Sequence, residues 1–287
     1  MSLDASGSAA RRLSQWPLRA DRPRGIEFPA THCFLLDADD DLADAFDLRM
    51  RLAARQVITA AVIEAQVGEC DLDAWFSGVG HGPGLLVLDG VIAVDARVGD
   101  RTATELVGAG DLLQRCVRAP EEILEHVASW RTLEPARFAV LDDGFTERAR
   151  PWPQVTQELL RRVGNRAADL DVLRAIASQP RLEVRLVLVL WHFARRWGRV
   201  EHSGIHLCLP LTHRLLGQIV GAERPSVSHA MARLSRTGLV TGGADDLHLH
   251  GSVEHHLWHL MERTAEPFVH AEACVRQPRL ERSDAVS

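Results

Sequence analysis

Arg224, Ser226, Ser228, His229, Arg233 and Arg236 fall in one short stretch that contains no acid, and they alternate with Val227, Met231 and Leu234 at three-and-four spacing. That spacing puts the apolar residues on one stripe of a helix and the basic and hydroxyl groups on the other. Such a face suits a polyanion. Arginine pairs with guanine O6 and N7 through two parallel hydrogen bonds, and an α-helix fits the major groove, so residues near the helix N-terminus are placed to read bases. Arg224, Ser226 and His229 are therefore the candidate base readers, Arg224 first. Thr212, Arg214, Ser228, Arg233 and Arg236 are the candidate phosphate contacts, which position a protein without reading sequence. An ordinary helical hairpin with a solvated basic face would have the same periodicity.

The elements that must hold these side chains are legible on either side. Leu216, Ile219 and Val220 form the apolar stripe of a preceding helix, and Gly221 lies where the chain must turn sharply into the next. Thr212 is placed to cap the first helix, and Pro225 falls in the first turn of the second, where a missing backbone donor costs nothing. Gly217, in mid-helix, implies close approach of the second helix. The pattern is a helix-turn-helix. Arg181 to Trp197 reads as a further helix, with Leu182, Leu186, Val189, Leu190 and Phe193 apolar, that floors this domain. Arg195, Arg196 and Arg199 at its end are either phosphate contacts or a solvated terminus favoured by the helix dipole. Leu239 to Gly251 reads as a wing, with turn signals at Gly242-Gly243 and Asp245-Asp246 before the alternating Leu247-His248-Leu249-His250.

Composition bounds the rest. A chain of 287 residues, 46% hydrophobic and 25% charged, is an ordinary globular protein long enough for two domains. The formal net charge of -6 hides an uneven spread: residues 181–240 carry nine arginines against Glu183, Glu201 and Glu223. Lysine is absent, so every basic contact falls to arginine or histidine. The five cysteines, Cys33, Cys70, Cys116, Cys208 and Cys274, are odd in number and widely separated, which predicts reduced thiols rather than a disulfide framework or an iron-sulfur site. The longest apolar run, Leu186 to Trp191, is far short of the ~20 residues that span a bilayer, and the N-terminus lacks a hydrophobic signal core, so a cytoplasmic location with no membrane partner is expected.

The run Thr212, Gly217-Gln218-Ile219-Val220-Gly221, Arg224, Val227 and Leu234 to Gly238-Leu239-Val240 resembles the winged helix of the Crp/Fnr superfamily of bacterial transcription regulators. The resemblance implies base contacts at the positions of Arg224, Pro225 and His229. Only Arg224 keeps the usual residue; Pro225 replaces a glutamate and His229 an arginine, so the operator should depart from the family consensus. Residues 26–142 have a different texture, with short apolar runs at Gln56 to Val62, Gly84 to Gly90, Val91 to Val94 and Thr104 to Val107 separated by turn residues. These predict an antiparallel β-roll with a hairpin at Asp89-Gly90. The order of "GLLVLDGVIAV", "ELVGAGDLL" and "LEPARFAVLD" resembles the sensor domain of the same superfamily.

In that family a Gly-Glu pair and an Arg-Ser/Thr-Ala triplet hold a cyclic nucleotide. Here the pair falls on Gln114-Arg115 and the triplet on His126-Val127-Ala128. The bidentate phosphate ligand is lost and an acid is replaced by a base, so cyclic AMP is not expected to bind in the family's manner. Gln114, Arg115, Arg118 and His126 remain a candidate pocket for another small-molecule effector, against simple surface solvation. A cyclic-nucleotide-responsive regulator with an altered pocket is the alternative within the family.

A β-roll is also the cupin architecture, but His32, His81 and His126 are scattered with no paired ligand motif. His255 and His259 stand one helical turn apart without an obvious third ligand. No metal, cofactor or enzymatic site is assigned from the sequence.

The expected organisation is α+β: a flexible tail over 1–25, a double-stranded β-helix (β-roll) sensor over 26–144, a dimerisation helix over 145–178, a winged helix-turn-helix over 179–252, and a short helix from Val253 to Glu262 with a disordered tail within 253–287. The dimerisation helix rests on Val155, Leu159, Val163, Ala167, Leu170, Leu173 and Ala177 at three-and-four spacing. Packing of that stripe on its own β-roll is the other reading. The partners implied are double-stranded DNA and a second copy of the chain, with RNA polymerase as a further candidate.

Overall fold

The computed structural model describes residues 31–115, 127–244 and 246–261. The tails, Arg118 and His126 of the candidate effector pocket, Cys116, Cys274 and Asp245 lie outside the described residues.

The chain opens with β1 (His32–Phe34) and three short helices, α1 (Leu35–Ala38), α2 (Asp40–Asp44) and α3 (Leu48–Ala54). Asp39 and Asp47 start α2 and α3, each accepting a backbone N–H three residues on, at 2.9 and 2.8 Å. Then follow β2 (Thr59–Ala65), β3 (Gly68–Cys70), α4 (Leu72–Val79), β4 (Gly84–Asp89), β5 (Val91–Val98), β6 (Arg101–Gly108), β7 (Leu112–Leu113), β8 (Val127–Thr132) and β9 (Ala136–Leu141). They form two antiparallel sheets, ordered β1-β2-β9-β4-β7 and β3-β8-β5-β6, around an interior filled by side chains such as Phe76, Leu85, Val87, Ile92, Leu113 and Phe138.

The roll matches the expectation, with one correction. Asp89-Gly90 is not a hairpin: β4 pairs with β7 and β9, whereas β5 pairs with β6 and β8. The chain crosses there from one sheet to the other. Gly90 takes a φ of 91°, and a Cβ on it would lie 2.5 Å from the Pro135 carbonyl oxygen. The actual two-residue hairpin is Gly99-Asp100, between Val98 and Arg101.

Period-two alternation lets β5 serve two cores. Ile92 points into the roll, while Val91 and Ala93, with Leu106 of β6, pack on the C-terminal domain.

After the roll, α5 (Asp143–Ala149) is capped by Asp142, which accepts from the Phe145 N–H at 2.7 Å. A break at 150–152 separates it from the 25-residue α6 (Pro153–Ala177), so the single helix expected from residue 145 is two. Pro153 starts the second, and the helix runs without interruption through Gly164-Asn165.

The stripe on α6 is divided as well. Val155, Leu159 and Val163 pack on the chain's own roll, Leu173 packs on the C-terminal domain, and Ala167, Leu170 and Ala177 face outward beside the exposed Leu160 and Val172. A buried ion cluster fastens the helix. Arg162, 4% exposed, donates two bonds of 2.6 Å to Asp39, one of 2.9 Å to Glu158 and one of 3.1 Å to the Gly110 carbonyl.

The C-terminal domain comprises α7 (Leu182–Trp197), β10 (Gly198–Glu201), β11 (Gly204–Leu207), α8 (His213–Val220), α9 (Arg224–Arg236), β12 (Val240–Gly243), β13 (Asp246–Leu249) and α10 (Val253–Met261). Its sheet has four strands in the order β10-β11-β13-β12, so the wing hairpin read from the sequence is half of a sheet whose other half precedes the helix-turn-helix.

Candidate nucleic-acid interface

The local chemistry of α8 and α9 is as the sequence requires. Thr212 Oγ1 accepts from the Leu215 N–H at 3.2 Å and caps α8, which leaves its own proton to donate outward. Gly221 ends the helix in the left-handed conformation, φ 66° and ψ 44°. The reason for Gly217 is closer to hand than expected: a Cβ there would lie 2.5 Å from the Ala222 carbonyl oxygen in the turn, and only 3.6 Å from Val227 of α9. Pro225 occupies the first turn of α9, and Val227, Ala230, Met231 and Leu234 bury its inner stripe.

Arg224, Ser226, His229 and Arg236 are exposed on the outer face of α9, and Thr212 and Arg214 are exposed at the start of α8. A groove of about 680 Å³ runs between these helices and the wing, lined among others by Thr212, Arg214, Arg224, Ser228, Gly242 and Gly243. Arg224 therefore stands at the N-terminal end of the exposed helix face.

Two of the phosphate candidates are otherwise engaged. Ser228 is half-buried, bonded to His213 Nδ1 at 2.8 Å and donating to the Arg224 carbonyl at 3.1 Å, and so ties α9 to α8. Arg233 forms an ion pair with Glu183 of α7. Glu223, just before α9, pairs with Arg101 from the β5–β6 hairpin at 2.6 Å, with both side chains largely exposed.

Arg195 and Arg196, at the end of α7, are exposed but engaged in ion pairs. Arg195 pairs with Asp169 of α6 at 2.5 Å, and Arg196 pairs with Asp111 of the roll at 2.7 Å and donates to the Ala109 carbonyl at 2.7 Å. With the Arg166 and Glu105 fork, at 2.9 and 2.8 Å, they join roll, long helix and C-terminal domain. Arg199 is exposed on β10.

Gln114 and Arg115 are exposed just past β7. His32 and His81 do not belong to the one three-ligand cluster found among the described residues, which is in the wing sheet. On α10 the residue the fold uses is His256, not His255 or His259. It is fully buried, its Nδ1 accepts from Trp191 Nε1 at 3.3 Å, and its Nε2 lies 2.5 Å from the His250 carbonyl. Burial holds its pKa below the ordinary value, and the Trp191 N–H on Nδ1 leaves the ring proton on Nε2, facing the His250 carbonyl.

A β-roll joined through a long helix to a winged helix-turn-helix defines a class: two-domain proteins in which one domain carries a DNA-reading helix. Residues 184–250 match the Crp-like helix-turn-helix domain. The chain superposes on FixK2 from Bradyrhizobium japonicum with a TM-score of 0.51 at 15% identity, over 69% of this chain and 96% of that one. For a CooA mutant from Carboxydothermus hydrogenoformans the TM-score is 0.52 at 15% identity, covering 80% and 96%. For a cyclic nucleotide-binding domain containing protein from Listeria monocytogenes it is 0.53 at 13%, covering 66% and 88%. No curated protein sequence matches the chain. Residues 184–250 thus carry a Crp-like helix-turn-helix domain, and the chain shares the fold of these solved structures. Among the described residues no helix is long and apolar enough to cross a membrane.

Proposed function

We propose that the protein is a sequence-specific, homodimeric transcription regulator whose α9 enters the major groove of double-stranded DNA. The observation that carries this reading is the exposure of Arg224, Ser226 and His229 together on the outer face of α9, within a Crp-like helix-turn-helix. Arg224 reads a guanine, and Ser226 and His229 discriminate at neighbouring positions. Thr212, Arg214 and Arg236 contact phosphate and set the register. Ser228 acts by holding the two helices together, and Arg233 shares its charge with Glu183. Arg224→Ala should weaken binding to the preferred duplex by ~1–3 kcal/mol and relax specificity at one base pair, as read by fluorescence anisotropy against single-base variants. Equal loss on every sequence would assign Arg224 to phosphate alone.

The effector is not cyclic AMP held in the family's usual way. The apolar filling of the roll supports this, with Phe76, Leu113 and Phe138 inside it, as does the Gln114-Arg115 pair where an acid belongs. Calorimetric titration with cyclic AMP and cyclic GMP tests it: no heat of binding is expected, and micromolar binding of either would favour the cyclic-nucleotide-responsive alternative. RNA polymerase is a further proposed partner, and the cytoplasm the proposed location.

A further inference from the structure

The outer face of the wing sheet carries a set of side chains that DNA reading does not use. β11 and β13 are antiparallel, with His206 opposite His248 and Leu207 opposite Leu247. Alternation buries Leu207, Leu247 and Leu249 and turns the residues between them outward. His206 and His248 thus form a cross-strand pair, with Asp246 two residues before His248 on β13 and Cys208 just past the end of β11.

Their atoms converge. Ligand atoms of His206, Asp246 and His248 all lie within 4.8 Å of one another. The two imidazole rings are stacked, with centroids 4.4 Å apart and planes within 4°. Both point Nε2 at the same oxygen, Asp246 Oδ1, His248 from 3.3 Å and His206 in a closer contact. Cys208 Sγ stands outside that trio, beside the His206 ring, 3.2 Å from Nε2 and 3.4 Å from Nδ1. Around a tetrahedral ion with metal to nitrogen or oxygen distances of ~2.0–2.1 Å and metal to sulfur of ~2.3 Å, neighbouring ligand atoms are ~3.3–3.6 Å apart. The separations from His248 to Asp246 and from Cys208 to His206 are near that spacing.

A second observation stands behind the first. The opposite ring nitrogens, Nδ1 of His206 and of His248, face the two oxygens of Glu201 at 3.5 and 3.8 Å. A carboxylate on the far nitrogen of each histidine is how metal-binding imidazoles are held in tautomer and orientation. His250, next along β13, is taken up elsewhere, bonded to Thr241 at 2.7 Å and to the Ser203 carbonyl at 3.1 Å.

We propose that His206, Cys208, Asp246 and His248 form a site for a divalent transition ion of the zinc class, with Glu201 as the positioning residue. Nitrogen and thiolate donors select that class over magnesium or calcium, which take oxygen. One thiolate and one carboxylate neutralise the ion's two charges. The coordinated thiol gives up its proton on binding, so binding releases acid.

The test uses the whole chain, freed of metal by dialysis and titrated with cobalt(II), then zinc(II). One cobalt per chain should bind, giving the visible absorption of a four-coordinate ion together with a near-ultraviolet thiolate-to-cobalt band, and zinc should displace both. Cys208→Ser should remove the thiolate band, and the double variant His206→Ala with His248→Ala should abolish binding. Glu201→Gln should weaken binding ten- to a hundredfold, roughly the effect of losing such an outer carboxylate, while keeping the spectrum. Circular dichroism of the metal-free variants checks that they fold. Should the double variant unfold, the cysteine variant decides alone. A spectrum without four-coordinate features, a thiolate band that survives Cys208→Ser, or binding that survives in the folded double variant would overturn the assignment.

Discussion

Arg224 and His256 mark what single residues contribute and how differently the sequence betrays them. Arg224 is recognisable because its setting is local: it follows a left-handed glycine, precedes a proline at a helix start, and stands on a face without acids. His256 gives no such signal, since its partners, Trp191 and the His250 carbonyl, come from other elements. Its consequence is a pH dependence. Burial lowers the folded pKa below the ordinary 6.5, the nearby His250, His255 and His259 lower it further, and the contact to the His250 carbonyl only partly opposes this. The unfolded chain then binds more protons between the two pKa values, so stability is full above pH 6.5 and falls as the pH drops toward the folded value. His192, buried between Asp169, Arg195 and Arg196, is shifted the same way. Melting temperature should therefore decline from pH 7.5 to pH 5.5, and His256→Gln should reduce the slope; an unchanged slope in the variant would place the dependence elsewhere.

At the scale of elements, the helix-turn-helix was legible because each boundary has a local cause, and the long helix was only half legible because its surroundings are not local. The Val155, Leu159 and Val163 stripe looks like a seam between subunits in sequence, but the roll covers it within the chain. The Asp89-Gly90 pair reads as a hairpin in sequence, and nothing in its turn chemistry tells a hairpin from the crossing between sheets that forms there. The wing cluster escaped because its histidines come from strands that only the register brings together, with His206 and Asp246 forty residues apart. Gly217→Ala should destabilise the protein by about 1–3 kcal/mol in urea denaturation, because the added methyl meets a backbone oxygen that a side-chain rotation cannot move. A neutral effect would mean that the turn shifts freely.

Arg162 fixes α6 to the roll. Burial alone disfavours its charge, but Asp39 and then Glu158 outweigh this and hold its pKa above the ordinary value, while Arg161 and Arg162 hold that of Glu158 down against burial. Arg162→Met strands the buried Asp39 carboxylate, while Glu158 keeps its pair with Arg161, and should cost about 3–5 kcal/mol, measured in the same denaturation experiment.

For the whole molecule, the apolar contact of Val91, Ala93 and Leu106 with the helices of the C-terminal domain, together with the pairs from Arg166, Arg195 and Arg196, joins roll, long helix and C-terminal domain. The ion pairs of Arg195 and Arg196 are not legible in the sequence because their partners, Asp169 and Asp111, are distant in it. Leu160, Ala167, Leu170 and Val172 of α6 are exposed, and the proposed dimer would form on this helix. Two copies related by a two-fold axis would set their α9 helices into major grooves one turn apart, ~34 Å. Selection of bound fragments from random duplex DNA by the purified protein tests this most directly. The enriched sequences should be two-fold symmetric, with half-site centres about 10 base pairs apart and a guanine in each half; a monomeric protein that enriches no sequence at moderate salt would contradict the account.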